Sequence, residues 1–77
     1  MEKSIYSADY RRLCALLHTL RTEAGLTQVQ VAAKLNVPQS FVSKYESGQR
    51  RLDVIELGRV AHALGTTTQA ILDRLNI

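Results

Sequence analysis

One segment near the middle of the chain carries slim polar side chains at helical spacing. Gln39 stands at its N-terminal end, and a glutamine amide can bond adenine through N6 and N7. Ser40 and Ser43 fall on the outer side of the predicted helix, and Lys44, one turn past Ser40, can donate to guanine or to a phosphate. A helix enters the major groove only where its outer face is slim. The pattern therefore indicates a helix that reads DNA bases, although a plain solvated surface has the same composition.

Three further residues next to this segment are candidates for binding phosphate. Gln28 begins the preceding helix, where its amide and the free backbone N–H groups can hold a phosphate, or it is only a helix-start residue. Arg50 and Arg51 follow the segment in a polar, basic loop and can hold another phosphate. Phe41 either touches a thymine methyl group or the sugar backbone, or it fills a gap beside the preceding helix.

Hydrophobic periodicity predicts five helices and no strands in one all-α domain, a compact five-helix bundle over residues 1–77. The helices are expected at about 7–24, 27–35, 38–47, 53–64 and 67–75. Each presents an apolar face to the core. In the fourth helix this face is predicted to contain Val54, Leu57, Val60, Ala61 and Leu64.

Capping signals set the limits of these helices. Ser4 or Ser7 can cap the first helix, and the second and fourth begin with the spacing of a capping box. Asn36-Val37 is the predicted turn, Pro38 fits the first position of the third helix, and Gly48 ends it. The two capping boxes pair Thr27 with Gln30 and Asp53 with Glu56.

Composition and charge narrow the function classes. The net charge of +3 is compatible with a polyanionic partner but also with a solvated helical surface. The one cysteine, Cys14, cannot form an internal disulfide, which suits the reducing cytoplasm, and no apolar run is long enough for a membrane span. His18 and His62 are expected on different helices without a ligand cluster. The sequence thus predicts no metal, no cofactor and no enzyme.

Residues 21–75 resemble the Cro/repressor-type helix-turn-helix family, also called XRE-type regulators. The resemblance implies a lambda repressor-like five-helix domain that binds operator DNA, usually as a dimer. It places Gln28 against phosphate and turns Gln39, Ser40 and Lys44 toward bases, with Ser43 beside them. The residues that carry it are Arg21, Gly25-Leu26-Thr27-Gln28, Val31-Ala32, Leu35, Val37-Pro38-Gln39-Ser40, Val42-Ser43, Tyr45-Glu46-Ser47-Gly48, Val60-Ala61 and Ala63-Leu64-Gly65.

The resemblance also implies an ion pair between Arg21, late in the first helix, and Glu46, near the end of the third. Such a pair would orient the recognition helix; the alternative is that both charges lie in water. A homodimer interface is predicted from three apolar residues with no evident place in the core, Ile55, Leu72 and Ile77. The alternative is that these are scattered exposed residues.

We therefore interpret the chain as a sequence-specific DNA-binding transcriptional regulator. Its third helix is expected in the major groove of a near-palindromic operator, on double-stranded DNA, with the protein a homodimer in the cytoplasm. A phage-type repressor, a restriction-modification controller and an antitoxin are all compatible. The alternative is a protein-interaction module, in which the helix-turn-helix is scaffold and the main partner is another protein.

Overall fold

The computed structural model describes the backbone of residues 2–76 and the side chains of residues 8–76. Within that range the chain forms five α helices and no strand, which confirms the predicted fold class. Four of the helices agree with their expected limits within one residue. The first begins at Glu2 and not near residue 7, because no glycine or proline interrupts the helix before the two serines that could cap it. The helices are α1 Glu2–Glu23, α2 Gln28–Leu35, α3 Gln39–Ser47, α4 Val54–Ala63 and α5 Thr68–Leu75.

Both predicted capping boxes form. The Thr27 hydroxyl accepts from the backbone N–H of Gln30 at 3.1 Å, and the Gln30 side chain accepts from the backbone N–H of Thr27 at 2.8 Å. Asp53 and Glu56 make the same reciprocal pair at the start of α4, at 2.7 and 2.9 Å. Each box satisfies two backbone donors that a helix start leaves unpaired, so both starts are fixed by local chemistry.

The connection between α2 and α3 is a turn of three residues. Asn36 takes the left-handed conformation with φ 59°, which asparagine tolerates better than most residues, and the N–H of Val37 donates to the Ala32 carbonyl at 3.0 Å. Pro38 is extended and lies just before the helix, one position earlier than predicted, without a side-chain cap. Gly48 ends α3 with φ 85°. The two helices are thereby held as a compact helix-turn-helix.

The core is built from the apolar faces of all five helices. α3 packs against both α1 and α2, while α4 packs against α2 and α5, and α5 returns to α1. The predicted inner face of α4 is buried except for Val54, which is 72% exposed because it is the first residue of the helix and no neighbouring element covers it. The buried cluster consists of Leu17, Val31, Ala32, Val42, Tyr45, Leu57, Val60, Ala61, Leu64, Ile71 and Leu75.

None of the helices in residues 2–76 has both the length and the hydropathy needed to cross a bilayer.

Candidate nucleic-acid interface

The outer face of α3 is solvent-exposed and polar along its whole length. All four residues predicted to contact bases are exposed to solvent, as such a contact requires: Gln39, Ser40, Ser43 and Lys44. At 3.6 residues per turn their side chains cover an arc of about 140°. The opposite face of the helix is fixed in the core by Val42 and Tyr45, which have no solvent exposure. The helix is therefore anchored on one side and open to a ligand on the other.

A bidentate ion pair connects the end of α3 to α1. Nε of Arg21 donates to Glu46 Oε2 at 2.6 Å, and Nη2 donates to Glu46 Oε1 at 3.1 Å. The third arm, Nη1, donates to the backbone carbonyl of Leu26 at 2.9 Å, so the same guanidinium also holds the loop that precedes α2. Both side chains are nearly buried, with 11% and 5% exposure. The predicted partners are thus in contact, and the pair joins three elements.

Glu46 also has hydrogen-bond partners other than Arg21. Its Oε1 lies 3.0 Å from His18 Nδ1 and accepts from Gln28 Nε2 at 3.1 Å. Burial by itself would raise the pKa of this carboxyl group, but the hydrogen bonds from Arg21, His18 and Gln28 outweigh burial and lower the pKa. On the other side of the pair, the hydrogen bond to Glu46 raises the pKa of Arg21. The buried carboxylate is therefore held in its charged form.

Two glutamines extend the hydrogen-bond network from Glu46 to the protein surface. Because a carboxylate only accepts, Gln28 must turn its NH2 group toward Glu46, which leaves its carbonyl oxygen facing outward. Gln39 Nε2 donates to that oxygen at 3.3 Å. The second hydrogen on Gln39 Nε2 and its carbonyl oxygen remain available. A donor and an acceptor side by side form the pattern that matches N7 and N6 of adenine.

The two arginines of the basic loop make different contacts. Arg50 is half-buried: its guanidinium pairs with Glu56 at 3.0 Å, donates to the Arg51 carbonyl at 2.7 Å and lies 4.4 Å from the centre of the Phe41 ring. Arg51 is exposed, with its guanidinium 5.0 Å from the centre of the Tyr10 ring. Of the two predicted phosphate contacts, Arg51 thus presents the more accessible charge.

Phe41 packs inside the domain. It is half-buried against the core and meets Tyr45 edge-on, with 5.9 Å between ring centres. Of the two roles considered from the sequence, gap filling is the one that this position supports. The ring also supports Arg50 by a cation–π contact and so helps to position the loop after α3.

Sequence reasoning missed two contributors to this surface. No sequence motif singles out Tyr10, yet its hydroxyl donates to the Arg50 carbonyl at 2.6 Å and accepts from the backbone N–H of Leu52 at 3.1 Å, which ties the basic loop to α1. His18 is expected from the sequence only to lie outside any ligand cluster, and its contact with Glu46 is not predicted. A signal was available for His18, since it lies one helical turn before Arg21 and therefore on the same face of α1.

The predicted dimer residues lie outside this surface. Ile55 is 64% exposed and lines an open groove of about 700 Å³ between α2 and α4, with Lys34 and Arg59 at its rim. Leu72 on α5 is half-buried. Ile77 is beyond the described residues. No group of three or more potential metal-ligating side chains lies together in the part of the chain described by the structure.

Comparison with known proteins identifies the family. A family model described as helix-turn-helix matches residues 17–71. The structure superposes on an XRE-family like protein from Pseudomonas syringae pv. tomato str. DC3000 with a TM-score of 0.92 and 47% sequence identity, over 97% of this chain and 92% of that one. The chain belongs to the XRE-type helix-turn-helix family. The resemblance predicted from the sequence is thus confirmed, and α2 and α3 are the two helices of the motif.

Two other relatives extend the comparison. An uncharacterized HTH-type transcriptional regulator from Sinorhizobium fredii, y4dJ, is 44% identical over 48 residues. The match covers 62% of this chain and 62% of the length of that relative. The restriction-modification controller protein C.Esp1396I, crystallised as a tetramer with its natural 35 base-pair operator, has a TM-score of 0.81 over 88% of this chain and 90% of that one. At 22% identity, the similarity to the controller protein shows that the two chains share a fold.

Proposed function

We propose that this XRE-type protein is a sequence-specific transcriptional regulator that acts in the cytoplasm. It binds double-stranded DNA by placing α3 in the major groove of a near-palindromic operator, as a homodimer. The proposal rests on one observation about α3. Its polar face is open to solvent, and a chain of hydrogen bonds fixes Gln39 at the N-terminal end of that face. Preorganised donors and acceptors on a slim helix are what direct readout requires.

In this proposal Gln39 reads an adenine. The bond from Gln39 Nε2 to Gln28 fixes which end of the amide is the donor, so the second N–H donates to adenine N7 and the carbonyl oxygen accepts from N6. Ser40, Ser43 and Lys44 line the same face and contact neighbouring bases. A single bidentate contact of this kind discriminates against the wrong base by about 1–3 kcal/mol.

Contacts to the DNA backbone come from the two ends of the motif. Gln28 lies at the N-terminus of α2, where the helix dipole favours an anion, and its backbone N–H makes the phosphate contact because its side-chain amide bonds Glu46 and Gln39. Arg51 lies exposed in the loop after α3. Arg50 takes part from a more restrained position because Glu56 neutralises part of its charge. These contacts carry no base information and fix the register of α3 on the duplex.

The dimer is assigned to apolar side chains away from α3. Ile55 is exposed on α4 and Leu72 is half-buried on α5, and burial of apolar surface between two copies would stabilise their association. A two-fold dimer presents two copies of α3, which reach successive major-groove faces when about 34 Å apart. The controller protein of the same fold, which forms a tetramer on its operator, supports assembly on DNA as the mode of action.

The test is selection of bound duplexes from a random pool, followed by titration of the selected site with the wild-type protein and with Gln39→Ala. We expect one preferred half-site, repeated with two-fold symmetry. Gln39→Ala is expected to lose about 1–3 kcal/mol on that site and to relax one base position. The matched control is Gln69→Ala, which removes an exposed glutamine on α5 that bonds only Asp73.

Two results would overturn the proposal. A wild-type protein that enriches no duplex, or whose affinity does not fall with salt, does not bind DNA in this way, because phosphate neutralisation makes affinity salt-dependent. A Gln39→Ala variant with unchanged base preference would remove Gln39 from the reading surface even if DNA binding remained.

A further inference from the structure

One histidine nitrogen lies between the two members of the buried ion pair. His18 Nδ1 is 3.0 Å from Glu46 Oε1 and 3.2 Å from Arg21 Nη2. The side chain of His18 is 55% exposed, whereas that of Glu46 is 5% exposed. His18 is thus an exposed side chain that contacts a nearly buried carboxylate.

We propose that His18 is a positioning residue for base readout, acting through Glu46 and Gln28 on Gln39. The inference rests on the proposed function, since it concerns how that reading surface is set. His18 and Gln28 bond the same carboxylate oxygen, Oε1, so the position of that oxygen is shared between them. Gln28 in turn fixes the amide of Gln39. His18 therefore acts on the reading glutamine without touching DNA.

The two contacts of His18 Nδ1 exclude each other as hydrogen bonds. A nitrogen that carries a proton donates to Glu46 and cannot accept from Arg21, whereas a bare nitrogen accepts from Arg21 and donates nothing to the carboxylate. Only the first arrangement adds His18 to the two other donors that hold Oε1, Arg21 Nη2 and Gln28 Nε2.

The arrangement in which His18 donates is therefore expected to tighten the network. The charged groups in contact with His18 are Arg21 on its own helix and Glu46 on α3, while Gln28, the contribution from α2, is neutral. Loss of the His18 donor is thus predicted to lower the preference of Gln39 for its base.

The experiment measures the ratio of affinity for the selected duplex to affinity for the same duplex with the base opposite Gln39 replaced. The variants are His18→Ala, which removes the donor, and His18→Asn, whose amide N–H occupies the place of Nδ1–H. His62→Asn is the matched control, since His62 lies on α4 outside the network. Ratios are taken at one pH and constant ionic strength, so that general charge effects on DNA affinity cancel.

The wild-type and His62→Asn ratios are expected to be equal. His18→Ala should lose about threefold to tenfold in the ratio, the value of one hydrogen bond. His18→Asn should keep the wild-type ratio. If His18→Ala does not fold, His18→Leu, which keeps side-chain bulk but has no donor, is compared with His18→Asn instead.

A His18→Asn ratio as low as that of His18→Ala would overturn the inference, because an N–H in the place of Nδ1–H would then not restore base preference. Full base preference in a folded His18→Ala variant would do the same, because His18 would then be an ordinary surface histidine. These outcomes differ from failure of the proposed function, in which the wild-type protein prefers no duplex.

Discussion

Breaking the ion pair between Arg21 and Glu46 is expected to lower the free energy of unfolding more than breaking the less buried pair between Arg50 and Glu56. The perturbation is a double-mutant cycle with Arg21→Met and Glu46→Gln. Methionine keeps most of the alkyl chain of arginine, and glutamine keeps the shape of glutamate without its charge. The cycle thus isolates the charge-assisted contact from the packing of both side chains.

The magnitude follows from burial and hydrogen bonding. Arg21→Met removes two hydrogen bonds to Glu46 and one to the Leu26 carbonyl. Among the described residues, His18 and Gln28 remain as donors to a carboxylate of 5% exposure. Loss of one partner of a buried pair costs about 3–5 kcal/mol, and the two remaining donors place this case at the lower end, about 3 kcal/mol. If each single change costs about 3 kcal/mol and the double change about 4, the coupling energy is about 2 kcal/mol.

Urea unfolding followed by far-ultraviolet circular dichroism measures this coupling, since the chain is helical and has no tryptophan. A protein of this length has a free energy of unfolding of about 4–12 kcal/mol. Because each single variant is expected to lose about 3 kcal/mol, the variants remain folded when the wild type lies above the lower end of this range. A stabilising osmolyte extends the measurable range.

The same cycle predicts a pH dependence. The pKa of Glu46 is lower in the folded protein than in the unfolded chain, so the stabilisation is complete above the ordinary pKa of glutamate and is lost as the pH falls through the folded-state pKa. Glu46→Gln should therefore flatten the acid side of the stability curve. A coupling energy below about 0.5 kcal/mol, together with an unchanged acid limb, would refute the assignment and place both side chains among ordinary surface charges.

Two further predictions concern the loop and the dimer. Arg51→Ala is expected to weaken binding to all duplexes about equally and to lower the salt slope by about 1, as a titration at several salt concentrations would show; a changed base preference at a constant slope would contradict the phosphate role. Ile55→Glu and Leu72→Glu are expected to shift a micromolar dimer toward monomer in sedimentation equilibrium, and a wild type that is strictly monomeric would exclude the dimer.

Local sequence signals were enough to predict most of the fold. Both capping boxes depend on residues three positions apart, and the stop at Gly48 depends on one residue that adopts a positive φ easily. Such signals act within one turn of helix and are readable without tertiary structure. The start of α1 was misplaced because a serine can cap a helix but need not, and only a break in the preceding residues would have forced it to do so.

The contacts of the site depend on packing and were predicted less well. The burial of Val60 and Ala61 follows from the periodicity of α4, but the exposure of Val54 does not, because it depends on where the neighbouring elements end. The hydroxyl of Tyr10 meets the chain 40 residues away, and no local pattern indicates such a partner. The pair of Arg21 and Glu46, 25 residues apart, was expected only from the family resemblance.

The network around Glu46 connects stability to recognition through one physical requirement. A carboxylate that is removed from water must have its oxygens satisfied, and here the donors come from α1 and α2 while the acceptor is on α3. Since Gln28 is one of those donors, the direction of its amide is not free, and neither is that of Gln39. The buried charge therefore does two things at once: it holds the three helices together, and through Gln28 it determines which end of the Gln39 amide donates inward.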